Sequence, residues 1–404
     1  MRILHIIPSL DSSSGGPAEG IRHYCAIYKA SGHEVEVASL DAPEIVSGLE
    51  FPAGAVGLGP GHGVYGYTPR MLPWLKANLA RFDVVIINGV WNYNALAAFR
   101  ALKGTSIPYA IFTHGMLDPY FKERYPIKHL KKLLYWHLFL RKIMVGARTI
   151  LYTSEEERLL ARRSFRNYHV RETVVPYGTF GPECDIGKAA AEFLERWPEL
   201  RGKRIALCLG RIHPKKATDI LIEAFSRTLA RHQEWRLVIA GPDQIGWQKG
   251  LEVLAERLAI SPRIIWTGMI KGPLKWGAYA AAEVFVLPSH QENFGIVVAE
   301  ALSVGLPALL SEKVNIWREV AERGAGLTDE DTLAGTIRLF DRWSRLSSIE
   351  IAEMRERSRR CFDELFNFNV TSRMLVEILD GLARENGETR SGSASSTSRG
   401  DGAA

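Results

Sequence analysis

Cysteine is scarce in this 404-residue chain: Cys25, Cys184, Cys208 and Cys361 stand far apart and form no CxxC pair. That usage excludes a disulfide framework and a thiolate metal site, and it fits a reducing compartment. Long apolar runs are missing as well. No uninterrupted stretch reaches the roughly 18 residues needed to span a bilayer. The apolar start, Arg2 to Pro8, is too brief for the core of a signal peptide and lacks a small-residue cleavage site. A cytoplasmic protein is therefore expected. The turn after the first strand, at Gly15-Gly16, has neither the GxGxxG spacing of a dinucleotide fold nor the GxxxxGK(S/T) of a P-loop, and no repeat of solenoid length is visible.

What is present is a composition of 46% hydrophobic and 24% charged residues, which can bury a sizeable core and excludes a disordered or collagen-like chain. At about 100 to 200 residues per domain the length suggests two domains. The formal charge is +6, from 51 Lys plus Arg against 45 Asp plus Glu, and it is unevenly spread. Residues 1–180 hold 21 basic and 14 acidic side chains, whereas 181–404 hold 30 and 31. The stretch 121–148 alone holds eight basic and one acidic.

Short β-rich runs alternate with longer amphipathic ones, the pattern of parallel strands joined by crossover helices. Strands are predicted at Ile3–Pro8, Glu34–Ser39, Val84–Asn88, Tyr109–Thr113, Thr149–Tyr152 and Thr173–Pro176. The pattern restarts at Arg204–Leu209, Arg236–Ala240, Ile264–Thr267, Val284–Pro288 and Pro307–Ser311. Two doubly wound α/β domains follow, over 1–180 and 200–365, with Tyr177–Pro182 as linker. A helix over 366–385 crosses back, and 386–404, rich in Gly, Ser, Ala and Thr, is expected to be disordered.

In open α/β sheets, ligands bind beyond the carboxyl ends of strands, so the residues after each strand carry the functional reading. After the first come Gly15, Gly16 and Pro17, opening a helix whose N-terminus can face an anion; alone, such a turn is a weak signal. After Leu209 come Arg211 and Lys216, cations suited to phosphate oxygens. After Pro288 come Glu292, Asn293, Phe294 and Gly295, then a helix bearing Glu300. Amides near Gly295 suit an anion, and the two carboxylates suit sugar or ribose hydroxyls.

Glu292 and Glu300 form an E-x7-E motif within Leu287-Pro288-Ser289…Glu292-Asn293-Phe294-Gly295…Glu300-Ala301. Together with Gly210-Arg211…Lys216, Gly15-Gly16 and Phe112-Thr113-His114-Gly115, in that family's order, it resembles the retaining glycosyltransferases of family 4. The resemblance covers nearly the whole chain. It implies two Rossmann-like domains facing across a cleft (GT-B) and transfer of a hexose from a UDP- or GDP-linked sugar. The acceptor it implies is a glycan or polyprenyl-linked sugar in cell-surface or exopolysaccharide synthesis. His114, Arg211, Lys216 and Glu292 are the implied catalytic set, with Gly15, Gly16, Asn293, Phe294, Gly295 and Glu300 on the donor. Asn88, Trp91 and Asp118 fall on the acceptor side. No cofactor is implied beyond the nucleotide sugar as co-substrate.

Three departures stand out. Ala217 replaces the glycine usual after the lysine, Tyr177-Gly178 replaces Asn-Gly, and Asn88 stands where many members carry histidine. The one acidic cluster that could suggest a metal, Asp329-Glu330-Asp331, reads as the cap of the following helix, and no metal is expected.

At 100° per residue, Lys128, Lys131, Lys132, Tyr135, Phe139 and Lys142 share one face, with Leu130, Leu133, His137 and Leu140 opposite. That face is expected to meet an anionic membrane, with the protein peripheral at the inner face of the cytoplasmic membrane. A nucleic-acid-binding protein is the rival reading of the lysines, but the rest of the chain is neutral and carries no recognition motif, so no nucleic acid is expected. The rival enzymes are a soluble sucrose- or glycogen-type transferase and a nucleotide-sugar epimerase. A catalytically silent sugar-nucleotide binder is disfavoured because both glutamates and both cations are present.

Overall fold

The alternating runs become two all-parallel sheets in the structure, a computed structural model that describes residues 1–11, 16–120, 122 and 126–396. The first sheet is built from β1 (Arg2–Ile7), β2 (Glu34–Ser39), β3 (Gly54–Gly57), β4 (Val84–Asn88), β5 (Tyr109–Phe112), β6 (Thr149–Tyr152) and β7 (Glu172–Val174), in the order β3-β2-β1-β4-β5-β6-β7. The second holds β8 (Arg204–Leu209), β9 (Trp235–Ala240), β10 (Ile264–Gly268), β11 (Val284–Leu287), β12 (Ala308–Ser311) and β13 (Gly326–Asp329), in the order β10-β9-β8-β11-β12-β13. Helices cover both faces of such sheets, so central strands are apolar throughout rather than alternating. Every residue of β4, β5 and β11 is buried.

The sequence reading lacks β3 and β13, each at one edge of its sheet; the opposite edges, β7 and β10, it contains. Both are four residues long and glycine-bearing, so neither shows a periodic apolar pattern. Gly326 pairs with Ala308, and a Cβ there would lie 2.0 Å from the Ala308 carbonyl oxygen, which makes glycine obligatory for that pairing.

Contacts divide the chain into two units. One comprises Met1–Thr153, Glu157–Val175 and the chain from Ser372 on; the other comprises Ser154–Glu156 and Pro176–Thr371. Tyr177 packs in the core of the second unit. The segments that lead out of and back into that unit pair with each other: Thr179 N–H donates to Phe366 O (2.9 Å) and Phe368 N–H to Thr179 O (3.1 Å). The last helix, Phe368–Ser396, runs past residue 385, where the sequence reading ends it. Helix propagation adds one hydrogen bond per residue fixed, so a packed helix extends into a weakly apolar sequence. Residues 397–404 of the expected tail lie outside the described residues.

The basic stretch forms the helical segments Pro126–Tyr135, Trp136–Leu140 and Arg141–Gly146, with a π turn in the middle. Its buried face differs from the sequence reading. Trp136, Leu140, Ile143 and Met144 point into the core and draw Tyr135 and Phe139 with them. Tyr135 O–H meets Tyr65 O–H at 3.0 Å, and Lys132 Nζ sits 4.6 Å from the centroid of the Trp91 ring. Leu130, assigned inward, is 66% exposed. Of the proposed membrane face, Lys131 and Lys142 are exposed, and the Lys128 side chain lies outside the described residues. The helix carries apolar residues on most of its circumference, so periodicity alone does not choose the side; the large indole of Trp136 does.

Candidate functional site

β8 and β11 are neighbours although they are the first and fourth strands of the second sheet, so strand order reverses between them. Such a switch point opens a crevice at the strands' carboxyl ends, where ligands of open α/β sheets bind. Arg211 and Lys216 follow β8; Glu292 follows β11. The structure brings Lys216 and Glu292 together, Nζ donating to Oε2, with both side chains mostly buried. The two loops are also joined by His290 N–H donating to Lys215 O (2.8 Å) and Lys215 Nζ donating to Gln291 Oε1 (3.3 Å). Arg211 is exposed, its guanidinium 3.4 Å from Gln244 Oε1.

Gly295 adopts φ 78° as the N-cap of the Ile296–Ser303 helix, and a Cβ there would lie 3.3 Å from Glu292 Cγ. Asn293 Oδ1 accepts from Asn315 Nδ2 at 3.4 Å. The Phe294 side chain belongs to the core, against Tyr177 and Phe366. Glu300, on that helix, is 7% exposed and accepts from Lys275 Nζ (2.7 Å) and Tyr279 O–H (2.9 Å). Neither partner was legible in sequence, because an i,i+4 Lys–Tyr pair on a helix has many ordinary uses. Burial, then the Glu300 carboxylate, raises the Tyr279 phenol well above its usual value, so it stays a hydrogen-bond donor.

The acidic cluster corrects the helix-cap reading. Thr332 is the N-cap of Leu333–Ser344, accepting from Gly335 N–H. Asp329 instead accepts from Arg338 Nε at 3.1 Å, and Asp331 meets His290 Nδ1 at 2.9 Å. The cap falls on threonine because β13 extends through Asp329, leaving the carboxylates to seek cations.

In the first unit the same switch point lies between β1 and β4. Gly16 is exposed at the start of the Gly16–Ala30 helix; Gly15 lies outside the described residues. Asn88, the last residue of β4, is buried, and its amide links two imidazoles. Its Oδ1 lies 3.1 Å from His114 Nε2 and its Nδ2 lies 3.3 Å from His5 Nδ1. Burial pushes both imidazoles down to about 3, and the proximity of His114 adds to the effect on His5. Both are neutral at physiological pH, so His114 Nε2 carries the hydrogen that Asn88 Oδ1 accepts. His114 itself sits at φ 50°, a left-handed conformation uncommon for a residue with a Cβ.

Glu157 holds that loop, and the sequence reading missed it. Buried at 3% exposure, it accepts from Thr113 Oγ1 (2.6 Å) and Gly115 N–H (2.5 Å) on either side of His114, and from Thr153 N–H (2.7 Å) and Oγ1 (2.6 Å). Trp91 Nε1 donates to Met116 O (2.9 Å), bracing the same loop, and Asp118 Oδ1 accepts from Tyr120 N–H (2.8 Å) in a local turn.

Comparison with known proteins bears on the family and the fold. Residues 191–338 match the family Glycosyl transferases group 1, and residues 15–178 match the family Glycosyl transferase 4-like domain. An uncharacterized glycosyltransferase of Methanocaldococcus jannaschii is 30% identical over 146 residues, 35% of this chain and 37% of that protein. A D-inositol 3-phosphate glycosyltransferase of Nocardia farcinica is 28% identical over 199 residues, 45% of this chain and 43% of that protein. The chain thus spans less than half the length of these relatives. Among solved structures, a sucrose-phosphate synthase of Thermosynechococcus elongatus aligns with TM-score 0.72 at 18% identity, covering 95% of this chain and 99% of that one. An Anabaena protein crystallised with UDP aligns with TM-score 0.73 at 15% identity, over 94% and 100%. These likenesses establish the GT-B fold.

Proposed function

Because the chain belongs to the group 1 glycosyltransferases, we propose that it moves a hexose from a UDP- or GDP-linked sugar, with retention at the anomeric carbon, to a glycan or polyprenyl-linked sugar acceptor in cell-surface or exopolysaccharide synthesis. The observation that carries the reading is the Lys216–Glu292 pair at the β8/β11 switch point. An ammonium and a carboxylate that neutralise each other are both re-satisfied by one nucleotide sugar: phosphate oxygens for Lys216, sugar hydroxyls for Glu292.

In the transfer, the bond from the anomeric carbon to the phosphate oxygen breaks and a bond to the acceptor oxygen forms. The acceptor's proton passes to the departing phosphate. Arg211, Lys216 and the amides at Gly295 meet the developing negative charge, at about 3–4 kcal/mol per preorganised donor. Glu300, fixed by Lys275 and Tyr279, takes the ribose hydroxyls. Neutral His114, whose Nε2–H goes to Asn88, meets the sugar as a hydrogen-bond acceptor rather than as a charge, and Glu157 holds its loop in place. The reading needs no metal to neutralise the diphosphate, and the carboxylates of Asp329 and Asp331 are engaged by Arg338 and His290. No helix among the described residues is long and apolar enough to cross a membrane. Work at the cytoplasmic membrane's inner face would therefore be peripheral, and exposed Lys131 and Lys142 support it.

The test is calorimetric titration with UDP- and GDP-sugars, followed by transfer assays on polyprenyl-linked and soluble sugar-phosphate acceptors, with NMR reading the new anomeric centre. Lys216→Ala and Glu292→Ala should each reduce transfer by about a hundredfold or more. Parental activity in either variant, or an inverted product, overturns the reading.

A further inference from the structure

The helical region Pro126–Gly146 presents two surfaces that take no part in the proposed transfer. Outward, Ile127 (81% exposed), Leu130 (66%) and Leu134 (63%) fall within about 60° of one another at 100° per residue, and Leu138 (52%) in the π turn and Val145 (54%) beyond it extend the exposed apolar series. Lys131, Arg141 and Lys142 of the same helical region are exposed as well. An apolar ridge of this length has no place on a purely solvated helix, where that face would be polar.

On the neighbouring side, His129 and His137 of the same region, with residues 162–169, wall a cleft of about 960 Å³. Lys122, Arg163 and Arg166 bring fixed positive charge to its wall, and His169 adds a third imidazole. Arg162 also lines it, but Glu172 neutralises that guanidinium. Among the described residues no carboxylate lines the cleft. The crowding is felt by His129, whose imidazole is pushed down by burial first and then by the charges of Lys122 and Lys132. Like charges gathered on a concave wall focus a positive potential and favour an anion, and guanidinium forks match phosphate oxygens.

We propose that this cleft seats the phosphodiester head group of an anionic phospholipid while the Ile127–Val145 ridge enters the acyl layer beside it. The proposal rests on the membrane-facing part of the function proposed above and on none of its transfer residues. A helix with an apolar face and cations at its border lies in the bilayer interface, the cations remaining at head-group level.

Flotation of the whole protein with phosphatidylglycerol–phosphatidylcholine vesicles and with pure phosphatidylcholine vesicles, at low and high salt, tests it. Binding is expected only to the anionic vesicles and should weaken as salt rises. Arg163→Gln/Arg166→Gln should weaken it by about thirtyfold, at roughly fivefold per cation. Leu130→Ser/Leu134→Ser should weaken it comparably, and millimolar inorganic pyrophosphate should compete with the vesicles. Equal binding to both vesicle types, or no binding to either, overturns the proposal for the parent protein, whatever the variants do. Parental vesicle binding by the arginine variant overturns the cleft's role, and pyrophosphate saturation of the cleft without vesicle binding reassigns it to a soluble phosphate. Nucleotide-sugar titration without vesicles should be unchanged in both variants, which separates failure here from failure of the transfer reading.

Discussion

Ala217 shows how one side chain can be legible in sequence as an anomaly and intelligible only in three dimensions. The loop after Lys216 requires a left-handed residue there, and the alanine adopts φ 52° and ψ 40° while fully buried. Such a conformation costs an L-residue about 1–2 kcal/mol, against about 0.8 kcal/mol for the one buried methyl that glycine would give up. Ala217→Gly should therefore stabilise the protein by about 0.5–1 kcal/mol, read as a higher urea midpoint at unchanged m. A lower midpoint would show that the methyl's packing outweighs the strain. His290 is the second case. Its hydrogen bond to Asp331 raises its pKa above the ordinary 6.5 against the opposing effect of burial, helped by the charges of Asp331 and Asp219, while the same bond lowers Asp331 below 3.8. The histidine's contribution is complete below pH 6.5 and fades as pH rises through its raised value. The aspartate's is complete above 3.8 and fades as pH falls through its lowered one. The melting-temperature gap between parent and Asp331→Asn should peak between about pH 4 and 6.5 and close at pH 9; a gap that widens toward pH 9 contradicts the pairing. The Asp331 partnership was hidden because 41 residues separate it from His290, just as 42–44 separate Glu157 from Gly115 and Thr113. The cations and glutamates of the candidate donor site were legible because Arg211, Lys216 and Glu292 lie in the loops after strands and Glu300 completes an E-x7-E spacing with Glu292.

At the scale of elements, the central strands announced themselves, and so did the edge strands β7 and β10, but the glycine-bearing edge strands β3 and β13 did not. β4, β5 and β11 are buried along their whole length, so burial writes itself into the sequence as unbroken apolar runs. β13 is held by close backbone approach instead, with Gly326 against Ala308. A Cβ 2.0 Å from a backbone oxygen cannot be relieved by a rotamer change, only by moving the strand. Gly326→Ala should thus destabilise the protein by about 2–3 kcal/mol, measured by urea denaturation, whereas Gly324→Ala nearby tests φ 59° with only a flexible Arg357 to displace. Equal small losses in both would mean that β13 is not paired to β12 as described. The Pro126–Gly146 region misled for a related reason. Its circumference is apolar on both sides, and the choice of buried face depends on Trp136, whose indole fills the core beside Phe165.

The whole molecule carries its excess charge away from the candidate donor residues. The excess of basic residues belongs to the first 180 residues, while the remainder holds 30 basic and 31 acidic. Yet the candidate donor site, which uses only Arg211 and Lys216 as phosphate cations, lies in that near-neutral remainder. Recognition there must be local, through a few groups preorganised by the β8 and β11 loops, rather than through a long-range field. The two units have separate cores, so a ligand held by one stabilises that one directly. At a hundred times its Kd a nucleotide sugar contributes about 2.7 kcal/mol to whatever unit holds it. Hydrogen exchange followed by mass spectrometry should then show slowed exchange in peptides covering 210–217 and 289–300 on addition of the UDP- or GDP-sugar that binds. Raising salt from 0.05 to 0.5 M should change that protection far less than it changes vesicle binding, because partly buried charges are screened less than exposed ones. Protection that appears only around residues 122–169, or that vanishes with salt, would place the donor on the basic surface and refute the assignment of Arg211, Lys216, Glu292 and Glu300.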